Sequence, residues 1–78
     1  MTLEQVRDTV IKPKLIESFG NMLGTAIMGN CTMAATKFKT DKEKLAAIVD
    51  AVCKNDKVKA MWGDAVTAKR KTEWSNLL

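Results

Sequence analysis

The 78-residue sequence contains no histidine and no tyrosine, one proline and two cysteines. Without histidine, the chain lacks the side chain that most often serves as an acid or base near neutral pH. Two cysteines cannot complete a structural zinc site, which takes four Cys or His ligands. The glycines are not followed by the Gly-Lys-Ser/Thr of a phosphate-binding loop. We therefore expect no enzymatic activity, no metal and no cofactor, and we infer no small-molecule ligand.

The start of the sequence lacks both the basic residues and the apolar run of a signal peptide, so we expect a cytoplasmic protein. The length predicts a single small domain, residues 1–78. A chain of this size buries only about 60% of the surface that it exposes when unfolded, so its own core is thin. Packing against a partner chain or a second copy would supplement that core.

The longest uncharged stretch is Ser18–Thr36, which is 19 residues long. Its length approaches that of a membrane span, but six polar residues and three glycines make it too polar, and we expect no membrane insertion. Apolar residues recur there at helical spacing, at Ile16, Phe19, Leu23, Ile27, Cys31, Ala34 and Phe38. This period predicts an all-α fold, a small bundle of three or four helices around residues 16–38. Gly20 and Gly24 lie one turn apart and predict a close helix contact.

Two glycine-containing pairs leave a second fold open. Gly29-Asn30 and Gly63-Asp64 can each close a β-hairpin. Together they would give an α+β fold resembling half of a ferredoxin-like domain. The alanines and methionines around Gly29 favour helix instead. Because Asn30 is unfavourable inside a helix, we then expect a break into two helices at Gly29-Asn30.

The sulfur-containing residues are expected in the core. Cys31 and Cys53 both lie on apolar helical stripes, which is typical of small buried hydrophobic residues. Four methionines could line an adaptable binding groove, but core filling is the interpretation that we adopt. They are Met22, Met28, Met33 and Met61.

Capping signals mark where helices begin. Thr2–Gln5 has the spacing of a capping box, and Thr40–Glu43 repeats it before the clearest helix of the sequence. That helix is expected to end at Lys54-Asn55-Asp56. The single proline predicts a boundary near Lys12-Pro13.

The C-terminal segment predicts a contact with a partner. A helix that starts near Asp56 loses its apolar face around Arg70, and three apolar residues then form a separate cluster. This cluster either folds back over the protein's own core or docks onto a partner. Residues 69–78 are thus predicted to form a mobile or partner-docking tail. The predicted partner surface consists of Trp74, Leu77 and Leu78.

The positive charge is concentrated in the second part of the chain. Residues 31–78 carry ten basic and six acidic side chains, which accounts for the net charge of +4. A basic run beside tryptophan can bind phosphates and stack on bases, so nucleic-acid or anion binding is a candidate function. The residues of this candidate site are Lys69, Arg70, Lys71 and Trp62. A solvated helix face is the simpler interpretation of the same charges.

These observations favour a protein–protein interaction or self-association module, acting as an adaptor or regulatory subunit. Its expected partner is another protein or a second copy of the chain. Nucleic-acid binding through the basic C-terminal segment is the alternative.

Overall fold

The computed structural model describes residues 2–78 and consists of packed α-helices. The elements are α1 (Leu3–Val6), a π-helical segment (Arg7–Ile11), α2 (Lys12–Met33), α3 (Asp41–Lys54), α4 (Asp56–Trp62) and α5 (Asp64–Ser75). Because residues 2–78 contain no strand, the all-α prediction is confirmed and the α+β alternative is wrong. Gly29-Asn30 lies inside α2, and Gly63 joins two helices rather than two strands.

The N-terminal helix begins with the predicted capping box and continues past the proline. The Gln5 amide donates to Thr2 Oγ1 at 3.1 Å, and the Thr2 amide donates to Gln5 Oε1 at 2.8 Å. Ahead of Pro13 the helix widens, and the Lys12 amide donates to the Arg7 carbonyl five residues back. A wider turn accommodates a ring that would otherwise clash with the preceding turn. The predicted boundary is therefore a change of helix type and not the end of a helix.

Helix α2 bends at Gly20, where the backbone has φ 85° and ψ 168°. Side chains disfavour this positive φ, and glycine adopts it without steric cost. The bend divides α2 into a first arm, residues 12–19, and a second arm, residues 21–33. The break expected at Gly29-Asn30 is wrong, because the second arm runs through both residues without interruption.

Helix α3 is capped at both ends, and its apolar face lies in the core. Thr40 Oγ1 accepts from the Glu43 amide at 3.2 Å, as the sequence predicts. Asn55 follows the last residue of α3, and its Oδ1 accepts from the Lys57 amide at 2.9 Å, so the same residue caps α4. The buried residues of α3 are Leu45, Ile48, Val49, Val52 and Cys53. Fully burying each large aliphatic side chain stabilises the fold by about 1.5–3 kcal/mol.

A single residue, Gly63, separates α4 from α5 and changes the helical phase. Its φ of 82° interrupts the helix, so side chains of α5 no longer continue the wheel of α4. In one unbroken helix, Trp74 would lie nearly opposite the apolar stripe of α4. The break turns Trp74 inward, where only 5% of its surface is exposed. A wheel drawn through α4 and α5 as one helix therefore loses its apolar face near Arg70, because Gly63 shifts the phase of α5 relative to α4.

The core joins the two ends of the chain, since Val6, Ile11 and Trp74 belong to one apolar cluster with residues of α2 and α3. The uncharged stretch Ser18–Thr36 is buried only in part: Ile27 is buried, whereas Leu23 is not. Within residues 2–78, no helix combines the length and the apolar character needed to cross a membrane.

Candidate interaction surface

The second arm of α2 presents an uncharged face to solvent. Four residues spaced by four, three and four positions lie within about 60° of one another around the helix. We call this surface the α2 face, and it consists of Met22, Ala26, Gly29 and Met33. All four residues are exposed, whereas the opposite side of the arm packs into the core through Ile27 and Cys31.

The two methionines give this face its apolar character. Met22 is 90% exposed and Met33 is 69% exposed. Of the four methionines expected to fill the core, only Met28 does so; the expectation for Met22, Met33 and Met61 is wrong. Met22 and Met33 lie on the side of the second arm opposite the buried Ile27 and Cys31, and Met61 lies on α4, whose buried residue is Val58. Large exposed apolar side chains on a charge-free surface are typical of interaction sites.

Gly29 lies at the centre of the α2 face without a structural reason inside the chain. Its φ is not positive, and a methyl group placed on its Cα would meet nothing within 4 Å. A glycine in a helix interior costs about 1 kcal/mol relative to alanine. At position 29 the packing within the chain leaves room for a side chain, so no intrachain contact explains why this residue is glycine. The close approach of another chain's backbone would explain the glycine, because any larger side chain would block it.

The predicted helix-contact glycines have separate roles within the chain. Gly20 forms the bend, and no other group lies within 4 Å of where its side chain would be. Gly24 packs against the first arm: a methyl group there would lie 2.8 Å from the Ile16 nitrogen and 2.9 Å from the Leu15 carbonyl carbon. Gly24 therefore allows a close intrachain contact between the two arms of α2. An assembly contact through Gly20 and Gly24 stays a prediction.

The predicted partner surface at the C-terminus is divided between core and solvent. Trp74 is buried, and its ring packs edge-to-face with that of Trp62, with the centroids 5.8 Å apart. Leu77 packs partly against the core, and Leu78 is 38% exposed. The burial of Trp74 agrees with the interpretation in which this cluster folds back over the protein's own core. Residues 69–75 of the expected tail belong to α5.

The basic run of α5 makes contacts within the bundle. The Arg70 guanidinium carbon lies 4.2 Å from the centroid of the Trp62 ring, a cation–π arrangement. Lys71 Nζ lies 3.0 Å from Asp50 Oδ1, and Lys54 also binds this carboxylate. Hydrogen bonds from Lys54 and Lys71 lower the pKa of Asp50.

These contacts bear on the nucleic-acid hypothesis. The structure brings Arg70 and Trp62 together, as a base-stacking site would need, but Arg70 covers one face of the ring. Lys69 is exposed, and Lys71 is engaged by Asp50. Nucleic-acid binding by this segment stays a prediction.

Beside the α2 face runs a groove of about 290 Å³ between the second arm and the π-helical segment. Arg7 and Lys12 lie in its wall, together with Asp8 and Gly29. Arg7 Nε pairs with Asp8 Oδ1 at 2.9 Å, and this hydrogen bond lowers the pKa of Asp8. The groove thus has mixed charge, which gives it no selectivity for an anion or a cation.

Both cysteines are buried and free. Burial, with a smaller contribution from the nearby Cys53, raises the pKa of Cys31 to about 11. Within residues 2–78, no three Cys, Asp or Glu side chains are grouped to hold a metal ion.

Comparison with protein-family models, with curated proteins and with solved structures gave no match to this chain.

The residues that sequence reasoning missed are those of the α2 face. A signal for them exists in the sequence, because positions 22, 26, 29 and 33 repeat at helical spacing without a charge. All four positions follow Gly20, so the bend does not alter their relative spacing. A continuous wheel from Ile16 also places Met22 and Met33 more than about 90° from the centre of the apolar stripe, but methionine was expected in the core because of its apolar character.

Proposed function

We propose that this protein is a small helical self-association module and that two copies meet through the α2 face. The observation that carries the proposal is the nearly complete exposure of Met22 on a face that has no charged residue. Removing apolar surface from water is favourable by about 25 cal/mol per Å². A contact that covers Met22 and Met33 gains this free energy, and the face itself has no charged residue to desolvate.

A second copy is the partner that the charges favour. Each chain carries a net charge of +4, and residues 31–78 account for all of it, so two copies repel one another where these segments come close. The α2 face is the exception, because Ser18–Thr36 contains no charged side chain. The four residues of the α2 face therefore bring no like charges together, and the charged groups that share the neighbouring groove with Gly29 are the Arg7–Asp8 ion pair and Lys12.

The size of the face sets the expected strength of the contact. Its ends, Met22 and Met33, are separated by about 16 Å along the helix. A helix pair of this length buries less than the roughly 800 Å² per partner of a stable interface. We therefore expect a reversible dimer with a dissociation constant on the order of micromolar or weaker.

Sedimentation velocity over a range of concentrations tests this proposal with a matched pair of variants. Met22→Lys places a charge in the α2 face, and we expect it to weaken association by at least about tenfold, or about 1.4 kcal/mol. Met61→Lys makes the same change at a methionine on α4 that is 55% exposed, outside the α2 face. This control should associate like the unmodified chain. A chain that stays monomeric at millimolar concentration, or an equal effect of the two variants, would contradict the proposal.

A further inference from the structure

We propose that the two copies pair their α2 faces antiparallel about a twofold axis, with Met22 beside the partner subunit's Met33 and Ala26 beside the partner subunit's Gly29. This inference rests on the proposed self-association and specifies its geometry. In such an isologous contact, the same patch of both subunits is self-complementary.

The positions of the four residues fit this register. Met22 and Met33 are equally far from the midpoint between residues 27 and 28, and so are Ala26 and Gly29. An axis through that midpoint places large side chains beside large ones at both ends of the contact. It places small residues beside small ones at the centre, where the two backbones approach each other most closely.

The match in size would also fit a parallel pair, and the lysines that follow the second arm favour the antiparallel direction over the parallel one. The segment that follows the second arm carries Lys37, Lys39 and Lys42, and all three are exposed. A parallel pair in register would hold these lysines beside their own copies, and like charges at close range are unfavourable. An antiparallel pair separates them to opposite ends and also opposes the two helix dipoles.

Cysteine cross-linking distinguishes the two directions. We would prepare Met22→Cys and Met33→Cys separately and oxidise each alone and in an equimolar mixture. A disulfide needs Cα atoms about 4.4–6.8 Å apart. In the antiparallel pair, two copies of residue 22 lie about 16 Å apart, whereas residue 22 lies beside the partner's residue 33. We expect covalent dimer in the mixture and little in either variant alone.

The native cysteines do not interfere, because both are buried, and the unmodified chain serves as the oxidation control. Both substituted positions are exposed, so the variants should fold like the unmodified chain. Gly29→Leu adds bulk at the centre of the pair and should lower the cross-linking yield of the mixture at least fivefold. The matched control Ala60→Leu, on the exposed side of α4, should leave the yield unchanged.

The outcomes separate this inference from the proposed function. Covalent dimer in the Met22→Cys sample alone would overturn the antiparallel register and leave self-association through the α2 face intact. A reversible dimer in sedimentation without cross-linking in any sample would overturn the register as well. A chain that is monomeric throughout would overturn both.

Discussion

Trp62 Nε1 donates a hydrogen bond of 2.7 Å to Ser18 Oγ, and this bond joins α4 to the first arm of α2. Ser18 lies two residues before the bend at Gly20, so the bond fixes the first arm where the chain changes direction. The other contacts of Trp62, with Trp74 and Arg70, extend from the same indole into α5. One side chain therefore connects three helices.

Removing the acceptor of this bond should destabilise the bundle. Ser18→Ala leaves the half-buried indole N–H of Trp62 without its partner, and we expect a loss of about 1–2 kcal/mol in the free energy of unfolding. Urea denaturation followed by tryptophan fluorescence measures the loss. Ser75→Ala at the end of α5 is the control and should change stability by less than about 0.5 kcal/mol. Equal stability of both variants and the unmodified chain would show that the bond contributes nothing.

Two glycine-to-alanine changes in the second arm should have opposite effects. In Gly24→Ala the new methyl group would press on the Ile16 and Leu15 backbone, which cannot move aside cheaply. We expect a loss of about 1–3 kcal/mol in stability. In Gly29→Ala the methyl group meets nothing, and the gain in helix propensity should stabilise the monomer by about 0.5–1 kcal/mol. Thermal unfolding at low protein concentration measures both; a Gly24→Ala variant as stable as the unmodified chain would contradict the packing at Gly24, and a destabilised Gly29→Ala variant would contradict the open space at Gly29.

The C-terminal apolar residues should differ in their contribution to stability. Trp74→Ala removes a buried ring from the core, and we expect a cost of about 3–5 kcal/mol. Leu78→Ala removes a side chain that is 38% exposed at the end of the chain, and we expect a cost below about 1 kcal/mol. Urea denaturation compares the two. If Trp74→Ala folded normally and lost only association, Trp74 would be a partner contact, as first expected from the sequence.

The Cys31 thiol should make stability depend on alkaline pH. Its pKa rises from the ordinary value of 9.0 to about 11 in the folded chain, because burial disfavours the thiolate. A group whose pKa is raised by folding contributes stability that is fully present below the unfolded pKa and is lost as the pH rises through the folded pKa. We expect a loss on the order of 2 kcal/mol between about pH 9 and pH 11.

The variant Cys31→Ala isolates this effect from the titration of the lysines. Urea denaturation of both chains at pH 8 and pH 11 gives the two differences in stability. The unmodified chain should lose more than the variant over this interval. Parallel losses would show that Cys31 is not protected by the fold.

Local signals in the sequence were sufficient for the helix starts and for α3. Thr2 and Thr40 act as caps through atoms only three residues away, so no tertiary information is needed to recognise them. The apolar face of α3 is uninterrupted in the sequence, and its residues Leu45, Ile48, Val49, Val52 and Cys53 are all buried. The fold class followed from these features and from the helical period of the central stretch.

The bend at Gly20 could not be located from local signals in the sequence. Gly20, Gly24 and Gly29 have similar sequence surroundings, and what makes Gly20 the bend is the packing of Gly24 against the first arm. That contact forms only after the chain has turned. The interaction surface was missed for a different reason: Met22 and Met33 lie off the predicted apolar stripe, but their apolar character led us to expect them in the core.

The most direct test of self-association through the α2 face is a dilution series of amide proton–nitrogen NMR spectra of the uniformly labelled, unmodified chain. We expect concentration-dependent shifts or broadening at residues 22–33, strongest at Ala26 and Gly29, with the amides of α5 unchanged. The affected amides should follow a single dissociation constant equal to that from sedimentation. Spectra that are independent of concentration, or shifts confined to residues 69–78, would contradict self-association through this face.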